Sequence, residues 1–293
     1  MEIVPVNIPL LKSMLSLATV IEAKDPYTGG HTWRVSHYAR LLAENIGLPE
    51  DEVFVIHFGS LMHDLGKVSV PDPILNKQGR LTSVEYEIVK KHPEMGFTLV
   101  RDHPLGMLAL DIVASHHERF DGLGYPRGLA GHEISLAARI VAIADAFDAM
   151  TSARPYRAGM PAETAYQLMA QESRKQFDPI LLSAFLDLGR HGDLDHILGH
   201  SSEERLLHSC PVCGPIIVVP ANWRSGEQVV CPKCRGNYDV HPDGDDFELE
   251  WDRSLNPTWL PQPDVDTVDD VTHYAPRELR LPSNLFQFNL SLS

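Results

Sequence analysis

The chain has 293 residues, 43% hydrophobic and 22% charged, the balance of an ordinary globular protein with room for one or two domains. No stretch approaches the roughly 18 apolar residues of a membrane span, and the start, MEIVPVNIPLLKSML, has neither a basic region nor a small-residue cleavage site, so we expect a cytoplasmic protein. The net charge of −15 argues against broad nucleic-acid binding, which needs a basic face; an anionic substrate would need local positive charge from metals, Arg or Lys.

In chain order, residues 10–190 read as helical. Leu10 to Ala23 is apolar with few breakers, and Val35, Ala39, Leu42, Ala43 and Ile46 recur at helical spacing before Gly47. Val53 to Leu65 gives a third helix. Thr82 and Glu85 form a capping-box pattern ahead of one helix over Val84 to Val100. Leu105 to His117 and Ile134 to Thr151 follow, and Asp178-Pro179 is an N-cap and N1 proline before Ile180 to Leu188. The expected fold is mainly α: a helical bundle over 1–195, a small β module over 205–242, and an extended acidic, Pro-rich tail over 243–293. The last residues, LFQFNLSLS, alternate like a strand.

Metal-type ligands run through the helical part in order: His31, His63-Asp64, His92, His116-His117 and Asp145. Imidazole and carboxylate suit first-row metals, and one shared carboxylate can bridge two ions about 3.5–4 Å apart, the spacing used to hydrolyse phosphate esters. Successive helices each contributing inward ligands is how bundle-core metal sites are built. His37, His57, His103, His196 and His200 lack such context and read as ordinary core or capped histidines.

At His63-Asp64-Leu65-Gly66-Lys67 and at His116-His117-Glu118-Arg119-Phe120-Asp121-Gly122-Leu123-Gly124-Tyr125-Pro126 the chain resembles the HD-GYP family, HD-superfamily phosphodiesterases of cyclic di-GMP. Further blocks in family order are Asp25-Pro26-Tyr27-Thr28-Gly29-Gly30-His31, Lys90-Lys91-His92-Pro93, Asp145-Ala146-Phe147-Asp148-Ala149-Met150-Thr151 and Arg154-Pro155-Tyr156-Arg157. The resemblance implies that one ion takes His31, His63, Asp64 and Asp145, and the other takes Asp64, His92, His116 and His117. Iron or manganese is the expected metal. A metal-bridging hydroxide would attack phosphorus and expel the ribose 3′-oxygen. By the same resemblance Lys67, Arg154 and Arg157 hold phosphate, Asp148 orients water or substrate unless it simply pairs with an arginine, and Tyr125 stacks or hydrogen-bonds with ligand. Arg157 stands where the family usually has lysine. Tyr27 stands where some members have a glutamate that helps to hold a third metal, and a phenol is a poor ligand at neutral pH. The expectation is a binuclear site and the linear product pGpG.

Cys210-Pro211-Val212-Cys213 and Cys231-Pro232-Lys233-Cys234 form two C-x-x-C knuckles that resemble a zinc ribbon, with one structural zinc on four thiolates. A redox pair is the alternative. Ile216 to Val219 and Gln228 to Val230 would supply short strands. Three functional readings follow. The first is cyclic di-GMP hydrolysis; the second is hydrolysis of another cyclic dinucleotide such as cyclic GMP-AMP. The third is a non-enzymatic adaptor that binds cyclic di-GMP or a GGDEF-family cyclase and signals through the ribbon.

Overall fold

The structure is a computed structural model that describes residues 2–25, 29–77, 79–152, 159–202, 205–206, 208–214, 216–220, 223–244, 246–260 and 262–281. Strand β1 (Glu2–Pro5) leads into α1 (Ile8–Glu22), α2 (His31–Asn45) and α3 (Glu50–Met62), and a 3-10 turn follows at Leu65–Ser69. Short α4 (Asp72–Leu75) precedes α5 (Ser83–Val89), α6 (His92–Val100) and α7 (Leu110–Ser115). Then come α8 (Leu136–Thr151), α9 (Ala162–Gln171) and α10 (Pro179–His191).

The capping box forms as expected: the Thr82 side chain accepts from the Glu85 N–H, and Glu85 accepts from the Thr82 N–H. Asp178 likewise caps α10, accepting from the N–H groups of Ile180 and Leu181. The expected single helix over 84–100 is two. The chain breaks at Lys90-Lys91 and restarts with Pro93 in the first turn of α6, because proline has no N–H to continue α5. His92 therefore opens a helix instead of lying inside one.

Two cores hold the helical part. In one, α2, α8, α9 and α10 meet around Phe147, whose ring stacks on Tyr166 at 5.1 Å and meets Tyr38 and Phe185 edge-on. In the other, Leu11 and Leu15 of α1 pack with Phe58 and Leu61 of α3. This second core also takes in the end of the chain. Helix α11 (Val265–His273) contributes Val268 and Val271, and β9 (Glu278–Leu281) contributes Leu279 and Leu281 while pairing antiparallel with β1. Each of those aliphatic side chains stabilises the docked tail by roughly 1.5–3 kcal/mol if taken wholly out of water. The tail is thus a docked strand and helix, not an extended wrap. Its alternating LFQFNLSLS end lies outside the described residues.

Between bundle and tail lies the cysteine module. It comprises β2 (His200–Ser202), β3 (Arg205–Leu206), β4 (His208–Ser209), β5 (Ile216–Ile217), β6 (Gln228–Val230), β7 (Gly236–Asp243) and β8 (Asp246–Leu255). Strands β6, β7 and β8 form one antiparallel sheet. The acidic run expected as linker is β8. Phe247 is buried and Leu249 packs on the same small core, while Glu248 and Glu250 alternate with them. Among the described residues no helix is long and apolar enough to cross a membrane.

Candidate metal centre

Five elements converge on Asp64. His31 opens α2, His63 caps α3, Asp64 precedes the 3-10 turn, His92 opens α6, and Asp145 lies within α8. Gly66 permits the closest of these approaches. A Cβ there would lie 1.8 Å from the His92 carbonyl oxygen, so only glycine lets the turn rest on the start of α6.

The two Asp64 oxygens divide between two groups of imidazoles. Oδ2 lies 3.3 Å from His63 Nε2 and 3.7 Å from His31 Nε2, and Asp145 Oδ1 is 3.5 Å from the same His31 nitrogen. Oδ1 lies 3.4 Å from His92 Nε2, which is 3.1 Å from His116 Nε2. His117 joins His92 and His116, with donor atoms of all three within 4.8 Å of one another. Tetrahedral bonds of about 2.0–2.1 Å place neighbouring donors roughly 3.3 Å apart, and the 3.1–3.5 Å separations here are close to that spacing.

Ring orientation points the same way. Nδ1 of His63 donates to the Ser60 carbonyl at 2.6 Å, Nδ1 of His92 to Val89 at 2.8 Å, and Nδ1 of His116 to Ile112 and Val113. His31 Nδ1 donates to Asp148 at 2.7 Å. A carbonyl or carboxylate can only accept, so in the neutral rings Nε2 carries the lone pair that faces the centre. Among the described residues His63 Nε2 is buried without a hydrogen-bond partner, a cost that a bound cation would remove.

The charge states suit ligands. Burial, only partly offset by Asp64, pushes the His92 imidazole down to about 3, and burial together with neighbouring rings pushes His116 well down and lowers His117. Burial would raise the Asp64 carboxyl, yet Lys67 and His63 hold it well below its usual range. Burial would lower His63, but Asp64 and Asp145 hold it up at about 9, so a cation arriving there displaces a proton. Buried imidazoles and anionic carboxylates form a donor set that fits divalent first-row metals.

His31, His63, His92 and His116 are nearly sealed, whereas His117 is partly exposed and the side chains of Asp64, Asp145 and Lys67 keep 13%, 18% and 19% exposure. Lys67 Nζ lies 2.6 Å from Asp64 Oδ2. The Tyr125 ring lies 4.9 Å from that of His117. Its loop is held from below by Glu118, which accepts from the Arg127 and Leu129 N–H groups, and Gly124 is required because a Cβ would come within 2.3 Å of the Arg119 nitrogen.

Asp148 is fully buried, with Oδ2 on His31 and Oδ1 on Arg34 Nε at 2.5 Å, so of its two expected roles the geometry has the pairing with an arginine, and the same carboxylate orients the His31 ring. Tyr27, Arg154 and Arg157 lie outside the described residues. The sequence reading missed Arg34, Glu118 and Glu22, whose carboxylate accepts from the Thr32 N–H and hydroxyl beside His31. An arginine three residues after His31, and so on the same helix face, was the available signal for the first.

The four cysteines also converge. Cys213 Sγ lies 3.6 Å from Cys210 and 3.5 Å from Cys231, and Cys210 lies 3.7 Å from Cys234. These are far beyond the roughly 2.05 Å of a disulfide and close to the ~3.8 Å edge of a tetrahedron with 2.3 Å metal–sulfur bonds. Burial would raise the Cys210 thiol, but the Tyr238 hydroxyl at 2.9 Å and the N–H groups of Cys213 and Val212 bring it down to about 7, whereas burial pushes Cys213 well up and Cys231 up to about 11, so a cation binding all four would displace their protons.

Two groups of His and Asp side chains, each able to hold a metal ion, thus meet at one carboxylate in a helical core. The family model for the HD domain matches residues 16–181, and the chain belongs to that family. Over 193 residues it is 40% identical to the cyclic di-GMP phosphodiesterase response regulator RpfG of Xanthomonas campestris, covering 65% of this chain and 50% of that one. A cyclic di-GMP phosphodiesterase of Thermotoga maritima is 43% identical, covering 64% and 51%. A 3'3'-cGAMP-specific phosphodiesterase 2 of Vibrio cholerae is 41% identical, covering 59% and 33%. The chain spans about half the length of the first two of these relatives or less of the third.

Proposed function

We propose that the chain is a metal-dependent phosphodiesterase that opens cyclic di-GMP to pGpG. The observation that carries this is the division of the Asp64 oxygens between the His31/His63/Asp145 group and the His92/His116/His117 group. Two divalent cations, iron or manganese for this nitrogen and oxygen donor set, would supply Lewis acidity and an activated water. The chain's own side chains supply the rest. Lys67 stands at the exposed rim, where its ammonium can leave Asp64 for a phosphate oxygen once cations neutralise that carboxylate. Tyr125 lines the opposite side beside His117 and offers a ring face to a base. Arg154 and Arg157 add phosphate contacts from the segment after α8. The burial of His31, His63, His92 and His116 keeps bulk water from that side of the centre, which strengthens charge–charge interaction at the phosphate. Tyr27 in place of a third-metal glutamate supports arrest at pGpG. One zinc is the natural occupant of the four cysteines, in a structural role.

Product chromatography tests the reading. Protein purified without oxygen and loaded with iron(II) or manganese(II) should convert cyclic di-GMP to pGpG, and Asp64→Ala should not. GMP as the main product would keep the enzyme and remove the argument from Tyr27. The similarity to a cyclic GMP-AMP phosphodiesterase makes that dinucleotide the competing substrate, and a competition assay ranks the two. Tight binding without turnover under either metal would leave the adaptor reading.

A further inference from the structure

A second set of metal-type ligands lies away from the Asp64 centre. His37 of α2, His57 of α3 and Asp270 of α11 each offer one donor atom within 4.8 Å of the other two. His37 Nε2 is 3.1 Å from Asp270 Oδ2, and the His37 and His57 rings meet edge-on at 5.2 Å. The carboxylate comes from a helix 233 residues away in sequence from its imidazole partner. Nothing in the chemistry of the Asp64 centre requires this meeting.

The His57 ring is set as the Asp64-centre rings are. Its Nδ1 donates to the Ser36 carbonyl at 3.2 Å, which leaves Nε2 as the lone-pair nitrogen. Burial and the neighbouring His37 keep that imidazole neutral, its pKa brought down to about 3. The Trp33 ring lies 4.3 Å from that of His37 and restricts it. A separation of 3.1 Å between donors is one edge of a tetrahedron of bonds about 2.0–2.1 Å long. The charged group facing it is Arg40, one turn past His37 and held by Glu44 at 2.9 Å. Arg40 is thereby already partnered.

We propose that His37, His57 and Asp270 form a separate site for a zinc-class divalent cation, which pins α11 to the α2–α3 pair. The side chains of His37 and Asp270 keep 16% and 18% exposure, so water completes the coordination. The site is structural: it joins the tail helix to the helices that carry His31 and His63, and it adds one ion per chain to those of the Asp64 centre and the cysteines. A metal count alone would therefore mistake it for a third ion at the Asp64 centre.

The experiment uses the full chain. Wild type, Asp270→Asn and Asp270→His are stripped with chelator, re-equilibrated with zinc, desalted and assayed for metal by mass spectrometry, with hydrogen exchange of residues 265–273 followed with and without zinc. Asp270→Asn should hold one zinc fewer than wild type and lose the zinc-dependent protection of α11. Asp270→His, which restores a ligand, should recover the ion. His57→Gln, read by the same count, replaces Asp270→Asn if that variant misfolds. Equal zinc in wild type and Asp270→Asn, with no zinc effect on α11, would overturn the proposal and leave a hydrogen-bonded His–Asp pair.

Discussion

Asp148 accepts the His31 Nδ1 proton at 2.7 Å through one oxygen and the Arg34 guanidinium through both, so one buried carboxylate fixes a ligand ring and neutralises a buried cation. Burial would raise its pKa, but Arg34 and His31 hold it well below the usual carboxylate range. Arg34 in turn donates to the carbonyls of Gly29 and His200, and so ties the metal centre to the strand that leads into the cysteine module.

Asp148→Ala should therefore weaken metal binding about 10–100-fold, the usual cost of losing a partner behind a ligating histidine. It should also destabilise the fold by roughly 3–5 kcal/mol, because Arg34 is left charged and buried. Asp148→Asn keeps the shape and part of the hydrogen bonding, so it should lose less on both counts. A competition titration against a chromophoric chelator, with urea melts alongside, checks this. Wild-type metal affinity in Asp148→Ala would remove the orienting role.

Gly66→Ala tests the packing that brings Asp64 to His92. The added Cβ would meet backbone at 1.8 Å on His92 and 2.6 Å on Gly96, and backbone cannot rotate out of the way as a side chain can. Overpacking of this kind costs about 1–3 kcal/mol or more. The relief available is to lift the turn off α6, which lengthens the 3.4 Å approach between Asp64 Oδ1 and His92 Nε2. The second cluster should thus lose affinity more than the His31/His63/Asp145 cluster. A metal titration in which the variant loses affinity in one step more than in the other is the expected result.

The convergence of the seven His and Asp side chains was legible because their order along the chain is itself the signal, and each falls at a helix end or on an inward face. For Asp148 the pairing with an arginine was legible, but its contact with His31 was not, since that partner is 117 residues away. The tail was misread through its charge. In Phe247-Glu248-Leu249-Glu250-Trp251 a period of two was present, yet acidic composition was allowed to outweigh it. Val268 and Val271 with the Asp264 cap spell a short amphipathic helix in the same way. The break before His92 was signalled by Pro93 alone. His37 and His57 could not be grouped with Asp270 from sequence, because only the docking of α11 brings them together.

Glu22 gives a pH dependence. Burial raises its carboxyl from the usual 4.5 to about 7, against the opposing hydrogen bonds from Thr32. The folded chain then holds a proton that the unfolded chain releases between those two values, so this group's contribution to stability falls as pH rises from 4.5 to about 7 and is flat above. Glu22→Gln retains an acceptor for Thr32 and does not ionise. It should gain on wild type across that window by about 1–2 kcal/mol, discounted because the side chain is only partly buried, and match it near pH 4. Thermal melts of both proteins over pH 4 to 8 decide the matter; parallel curves would place the Glu22 proton elsewhere.

Metal removal should separate the cysteine module from the bundle. The buried residues of the module are few: Cys210, Ile217, Val219, Cys231, Tyr238, Val240 and Phe247, two of them candidate ligands themselves. So small a core does not offset the ordering of its sheet without a cross-link, and a four-thiolate metal supplies one. The helical cores share none of these residues, and the tail helix and β9 pack with α1 and α3, not with the sheet. Cys231→Ser should therefore speed amide exchange throughout β6, β7 and β8 while α1, α3 and α8 keep theirs. Residues 265–281 should stay protected, because their apolar partners lie on the bundle. If exchange in the helices rises together with the sheet, the Arg34 link to His200 carries more of the fold than one hydrogen bond implies, and the module is an integral part of the support behind His31.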